Sequence, residues 1–139
     1  MTMIPIRIST RMALAGIAGA ALLPSAGYAA SRFGVVCVGN QTSINLSYMA
    51  EVGNGAWATY SIAPGARRSF WHEYTRAGEN SSPPLRVRFD SDMRSQRMFA
   101  ITYRLPRRAA AGNSCGEGKQ YAFQYEPSNR AFIDLKALR

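Results

Sequence analysis

Residues 85–89 read Leu85-Arg86-Val87-Arg88-Phe89, and this run decides the fold class. Leucine, valine and phenylalanine alternate with the two arginines, which is the period of a β-strand with one apolar face and one charged face. An amphipathic helix would instead repeat its apolar residues every three or four positions. The run therefore predicts a strand in a sheet that covers a core on one side and meets water on the other.

The same alternation recurs on both sides of this run, within residues 44–49, 99–105, 121–125 and 131–136. Turn-forming residues separate the runs, as in Gly53-Asn54-Gly55, Ser91-Asp92 and Glu126-Pro127-Ser128-Asn129. Residues 75–84 and 106–118 show no alternation and are predicted to form long loops. Short strands at this spacing predict an all-β, single-domain antiparallel β-sandwich or small barrel of about eight strands.

The first 29 residues have the three parts of a secretory signal peptide. Arg7 and Arg11 precede an apolar run at residues 12–23, and Gly27 and Ala29 supply small residues for cleavage after Ala29. A membrane anchor is the alternative, but a span needs about 20 apolar residues. We therefore expect a signal peptide at 1–29 and an exported bacterial domain at 30–139, in the periplasm or secreted, without a membrane span after processing.

The exported part is basic. Residues 1–29 hold two of the 17 basic residues and none of the acidic ones, so 15 basic and eight acidic residues remain, a formal charge of +7. This field favours anionic partners. Cys37 and Cys115 predict one disulfide in an oxidising compartment, with two buried free thiols as the alternative. Two cysteines and a distant histidine are too few ligands for a metal site, and no cofactor is expected.

Arginine is the main candidate for binding chemistry. Its planar fork suits phosphate, sulfate and carboxylate groups. We predict that Arg86 and Arg88 project from one sheet face, that Arg107 and Arg108 project from the adjoining loop, and that Trp71 serves as an aromatic anchor. The expected partner is an anionic polymer or an acidic protein surface, and nucleic acid is disfavoured because the chain is exported. The alternatives are that the arginines form a solvated face that blocks edge pairing, and that Trp71 packs in the core.

Three functions remain open from the residues alone. The first is a non-catalytic binding or accessory module for an anionic envelope component or an acidic protein. The second is a hydrolase of cell-wall or surface polymer that uses His72 or the Asp90–Asp92 pair. The third is a structural subunit of an envelope assembly, and the oligomeric state is left open.

The opening of the exported part resembles a family of small exported bacterial domains of unknown function. The likeness rests on Val36-Cys37, Asn40-Gln41-Thr42, Tyr48, Trp57 and Ala63-Pro64-Gly65, with two residues between the cysteine and the asparagine where the family has one. It covers about a quarter of the chain. The resemblance implies an exported bacterial β domain and carries over no catalytic residue.

Overall fold

The computed structural model describes residues 30–51, 55–89 and 102–139. The described residues form nine strands and a short 3-10 turn at Cys115–Glu117. The strands are β1 (Phe33–Asn40), β2 (Leu46–Glu51), β3 (Trp57–Ile62), β4 (Arg67–Glu73), β5 (Leu85–Phe89), β6 (Tyr103–Leu105), β7 (Arg108–Ala110), β8 (Lys119–Glu126) and β9 (Asn129–Ala137). The predicted signal peptide, the Ser91-Asp92 turn and the start of the strand predicted from Phe99 lie outside the described residues.

Two sheets pack face to face, so the predicted all-β sandwich is confirmed. One sheet has the order β4-β1-β8-β9, with β7 also paired to β1, and the other has the order β3-β2-β5-β6. The prediction that every pair is antiparallel is wrong for β1 and β8, which run parallel with Val36 opposite Lys119. The chain passes through the other sheet between these two strands, and a parallel pair requires such a long crossover.

The core lies between the sheets and confirms the alternation of residues 85–89. Leu85, Val87 and Phe89 are at most 3% exposed, whereas both arginines between them are half-buried. Phe89 packs against Phe123 with ring centroids 4.9 Å apart, and Tyr48 packs against Phe123 at 5.3 Å. Burial raises the pKa of Tyr48 to about 12, and its hydroxyl has no hydrogen-bond partner among the described residues. Within that part of the chain, the Tyr48 hydroxyl is therefore an unsatisfied polar group in the core.

A buried asparagine fixes the corner where β1 ends. The side chain of Asn40 is 1% exposed. Its Nδ2 donates to the carbonyl oxygens of Ile44 at 2.8 Å and Ile62 at 3.0 Å. Its Oδ1 accepts from the backbone N–H of Thr42 at 2.9 Å and from the Thr42 hydroxyl at 2.7 Å. Asn40 thereby ties the end of β1 to the bend before β2 and to the end of β3.

The predicted disulfide between Cys37 and Cys115 is confirmed. It lies on the face of β1 that points away from the core, and the turn that carries Cys115 covers this face. For that reason Val35 and Cys37 are fully buried although they do not face the opposite sheet. Gly118 fits here because a Cβ atom would lie 2.8 Å from the Val35 side chain.

The loop predicted at residues 106–118 is partly wrong, because it contains β7. This strand pairs antiparallel with the start of β1, with Ala110 opposite Phe33 and Arg108 opposite Val35. It completes the sheet there because β8 pairs with β1 only from Val36 onward. The three residues of β7 show no apolar alternation and therefore give no strand signal in the sequence. Their extended conformation depends on pairing with β1.

Candidate anion-binding face

The outer face of the β3-β2-β5-β6 sheet carries one row of charged and aromatic side chains across all four strands. Glu51 on β2 lies opposite Trp57 on one side and opposite Arg86 on the other. Arg86 lies opposite Arg104 on β6. Arg88 follows two residues along β5, so it projects from the same face. We call these five residues the arginine face.

Trp57 and the two arginines of β5 form one stack. The guanidinium carbon of Arg88 lies 4.3 Å from the centroid of the Trp57 ring, and that of Arg86 lies 5.2 Å from it. Arg86 also forms an ion pair with Glu51, and Arg88 Nε donates to the Thr102 hydroxyl at 2.9 Å. Both guanidinium groups are therefore held in place before any ligand arrives, which lowers the entropy lost on binding.

The arginine face is positively charged. Its three arginines meet one acidic residue among the described residues, Glu51, whose carboxylate is already paired with Arg86. Arg104 is exposed, and the terminal amino groups of Arg88 have no partner within the described ranges. Within the described residues, this side of the sheet thus offers donors that suit an oxyanion.

The other two predicted arginines lie elsewhere. Arg107 is half-buried in the connection between β6 and β7, where its Nη1 donates to the carbonyl oxygen of Pro83 at 2.9 Å. Burial lowers the pKa of Arg107 below its ordinary value. Arg108 is exposed on β7, which belongs to the other sheet. The predicted patch is therefore divided: Arg86 and Arg88 share a face, Arg107 holds the 75–84 loop, and Arg108 lies across the sandwich.

None of the three comparisons, with protein-family models, with curated proteins and with solved structures, finds a match to this chain. The resemblance of the opening segment to small exported domains therefore stays a prediction. No helix in the described part of the chain is long and apolar enough to cross a membrane.

Neither tryptophan belongs to the core, so the alternative that Trp71 packs there is wrong. Phe70 takes the core position on β4 at 4% exposure, and alternation turns Trp71 outward, where it is 49% exposed. Trp57 is half-buried beneath the guanidinium groups of β5. The sequence predicted Trp71 as the aromatic anchor, which stays a prediction, and did not predict that Trp57 would stack with the arginines of β5. The Gly53-Asn54-Gly55 turn was the available signal, because the hairpin pairs Trp57 with Glu51.

The histidine proposed as a general base takes part in a loop contact. His72 Nε2 lies 3.4 Å from Glu79 Oε1, and the other Glu79 oxygen accepts the backbone N–H groups of Thr75 and Arg76 at 3.0 and 3.2 Å. These hydrogen bonds, that of Arg76 most, lower the pKa of Glu79. The aromatic neighbour of His72 in the described residues is Tyr74. The contact with Glu79 therefore ties the 75–84 loop to His72 on β4.

The described residues contain neither the predicted carboxylate pair nor a cluster of metal ligands. Asp90 and Asp92 lie outside the described residues. In the ranges that are described, no three histidine, cysteine, aspartate or glutamate side chains come together as metal ligands would.

Proposed function

We propose that this chain is an exported, non-catalytic binding module that holds an anionic envelope polymer, or an acidic protein surface, on its arginine face. The observation that carries the proposal is the stack of Arg86 and Arg88 on Trp57, beside Arg104. The signal peptide predicted at residues 1–29 supports export to the periplasm or beyond. The disulfide is consistent with it, since such bridges persist in oxidising compartments.

The spacing of the arginine face favours a ligand with repeated anionic groups. Arg86 and Arg88 are two residues apart on a strand, a separation of about 7 Å. Arg86 and Arg104 are directly opposed on neighbouring strands, at about 5 Å. All three arginines therefore lie on two neighbouring strands, and their separations are wider than the spacing of the oxygen atoms within one phosphate or sulfate. A chain bearing phosphate, sulfate or carboxylate groups can bind several of these donors at once.

Retention on heparin-agarose tests the proposal. The variant Arg86→Ala/Arg88→Ala removes two positive charges from the arginine face, and Arg130→Ala/Arg139→Ala removes two from the other sheet and the C-terminus. Because both variants lose the same charge, a response to net charge alone lowers the eluting salt concentration equally. The proposal predicts a distinctly larger decrease for the first variant. Equal decreases would overturn it.

A competition experiment distinguishes the polymer from the acidic protein. Soluble polyphosphate and polyglutamate are added at equal charge to protein retained on the resin. Arginine forks form charge-assisted, bidentate hydrogen bonds with both phosphate and carboxylate, so the comparison tests the form of the ligand. If the ligand is the anionic polymer, polyphosphate should release the protein at a lower charge concentration. Preferential release by polyglutamate would instead support the acidic-protein partner.

A further inference from the structure

Among the described strands, β4 forms one edge of its sheet. It pairs with β1 along its whole length, and no described strand pairs with its other side. A groove of about 320 Å³ runs beside this edge, lined by Tyr60, Arg68, Ser69, Phe70 and Trp71. Trp71, which is 49% exposed, is the one large hydrophobic residue among the described residues that is classed as exposed. An accessible edge of this length is a template for pairing with another strand.

The backbone groups that face the free edge can be derived from the ladder with β1. At its two ends, Tyr74 N donates to Arg32 O at 2.8 Å and Asn40 N donates to Ala66 O at 3.0 Å. Hydrogen-bonded pairs alternate with unbonded pairs in an antiparallel ladder, so the even-numbered residues of β4 bond to β1. The odd-numbered residues turn their N–H and C=O groups to the free edge, namely Arg67, Ser69, Trp71 and Glu73.

We propose that two copies of this chain associate through β4, as a two-fold antiparallel pair centred on Phe70 that joins the two sheets into one. In this register Arg67 lies opposite Glu73 of the second copy, and the contact occurs twice by symmetry. Ser69 likewise lies opposite Trp71 of the second copy. All four positions are odd-numbered, so their free backbone groups can form the new ladder.

Charge complementarity selects this register. A two-fold axis perpendicular to a sheet keeps each residue on its own face, so the pairing must be centred on a residue. Centring on Trp71 would place Glu73 opposite Ser69, and centring on Ser69 would place Arg67 opposite Trp71. Of these three registers, the one centred on Phe70 pairs opposite charges, and directly opposed opposite charges stabilise a sheet.

The two charged side chains are accessible for this contact. Arg67 uses one terminal nitrogen for a hydrogen bond to Gln120 Oε1 at 2.6 Å, and its other donors have no hydrogen-bond partner in the described ranges. Glu73 is exposed and lies 3.9 Å from the exposed guanidinium group of Arg32, a weak surface contact. The net positive charge opposes association at low salt. At about 0.15 M salt the Debye length is about 8 Å, so distant repulsion is screened while direct pairs remain.

Sedimentation velocity of the exported domain, from micromolar to millimolar concentration at about 0.15 M salt, tests the proposal with charge exchanges. Arg67→Glu and Glu73→Arg each turn two attractive pairs into repulsive ones and should raise the dimer dissociation constant about tenfold. The double variant Arg67→Glu/Glu73→Arg restores both pairs and should return the constant to the original value. Arg139→Glu is the control for charge, because it makes the same change as Arg67→Glu far from β4.

If association depended only on net charge, the dissociation constants would follow a different pattern. Arg67→Glu lowers the net positive charge of the protein, so it would then strengthen association. Strengthening by that variant, loss of association that the double variant does not restore, or a monomer at every concentration would each overturn the proposal.

A backbone variant tests the ladder itself. Ser69→Pro removes an N–H that points to the free edge and leaves the hydrogen bonds to β1, since proline is tolerated on the open side of an edge strand. The Ser69 hydroxyl also donates to Asn113 O at 2.5 Å, and Ser69→Ala is the control for that loss. We expect Ser69→Pro to abolish the dimer and Ser69→Ala to keep it. A dimer in Ser69→Pro would overturn the β4 pairing.

The arginine face lies on the other sheet. Loss of the dimer in these variants therefore leaves heparin retention as a separate test of the proposed function.

Discussion

Removal of the disulfide by Cys37→Ala/Cys115→Ala should destabilise the domain strongly. The bridge joins residues 78 positions apart. In the chain-entropy model a closed loop of that length lowers the entropy of the unfolded chain enough to stabilise the fold by about 4.5 kcal/mol at 25 °C. The free energy of unfolding of native proteins is typically about 5–15 kcal/mol. The variant should therefore retain only a small margin of stability.

Urea unfolding at 25 °C measures this loss, with tryptophan fluorescence as the signal. The bridged protein, the same protein in excess dithiothreitol and the double alanine variant are compared, because reduction leaves the Cys37 thiol packed in its site while alanine also removes buried volume. The reduced protein should lose about 4.5 kcal/mol and the alanine variant somewhat more. A loss below about 1 kcal/mol in the reduced protein would refute the loop-closure reasoning.

Three further substitutions probe the fold. Tyr48→Phe removes a buried hydroxyl without a partner and should raise the free energy of unfolding by about 1 kcal/mol; a loss in urea unfolding would contradict this. Asn40→Ala leaves several buried groups unpaired and should lower the free energy of unfolding by about 3 kcal/mol, whereas Asn45→Ala, at an exposed position in the same bend, should lower it little. Equal losses for the two variants would refute the stabilising role of the Asn40 hydrogen bonds. The pKa of Glu79 is lowered, so its stabilising effect is present above the ordinary value of 4.5 and is lost as the pH falls through the native value. Glu79→Gln should therefore flatten the fall in melting temperature below that pH, and an unchanged profile would count against the loop contact.

The division of the arginines shows where a local pattern stops being informative. Arg86 and Arg88 share a face because a strand alternates every two residues, which is visible in the sequence. Arg107 follows β6 in a connection whose direction depends on the packing of Pro83 and the 75–84 loop. Adjacent arginines in the chain thus acquire different roles: Arg107 is half-buried against a carbonyl oxygen, and Arg108 is exposed on a strand.

Sequence alone determined the all-β class and the bridge between Cys37 and Cys115. It also determined the faces of β5, because alternation over two residues is a local property that each strand carries by itself. Tertiary structure decided which strands are neighbours. It set the parallel pairing of β1 with β8, recruited β7 to the start of β1, and placed Trp57 beneath two guanidinium groups. These features depend on contacts between residues far apart in the chain. The conformation and packing of each such segment depend on the side chains and hydrogen bonds of its neighbours, so they cannot be predicted from the residues of the segment alone.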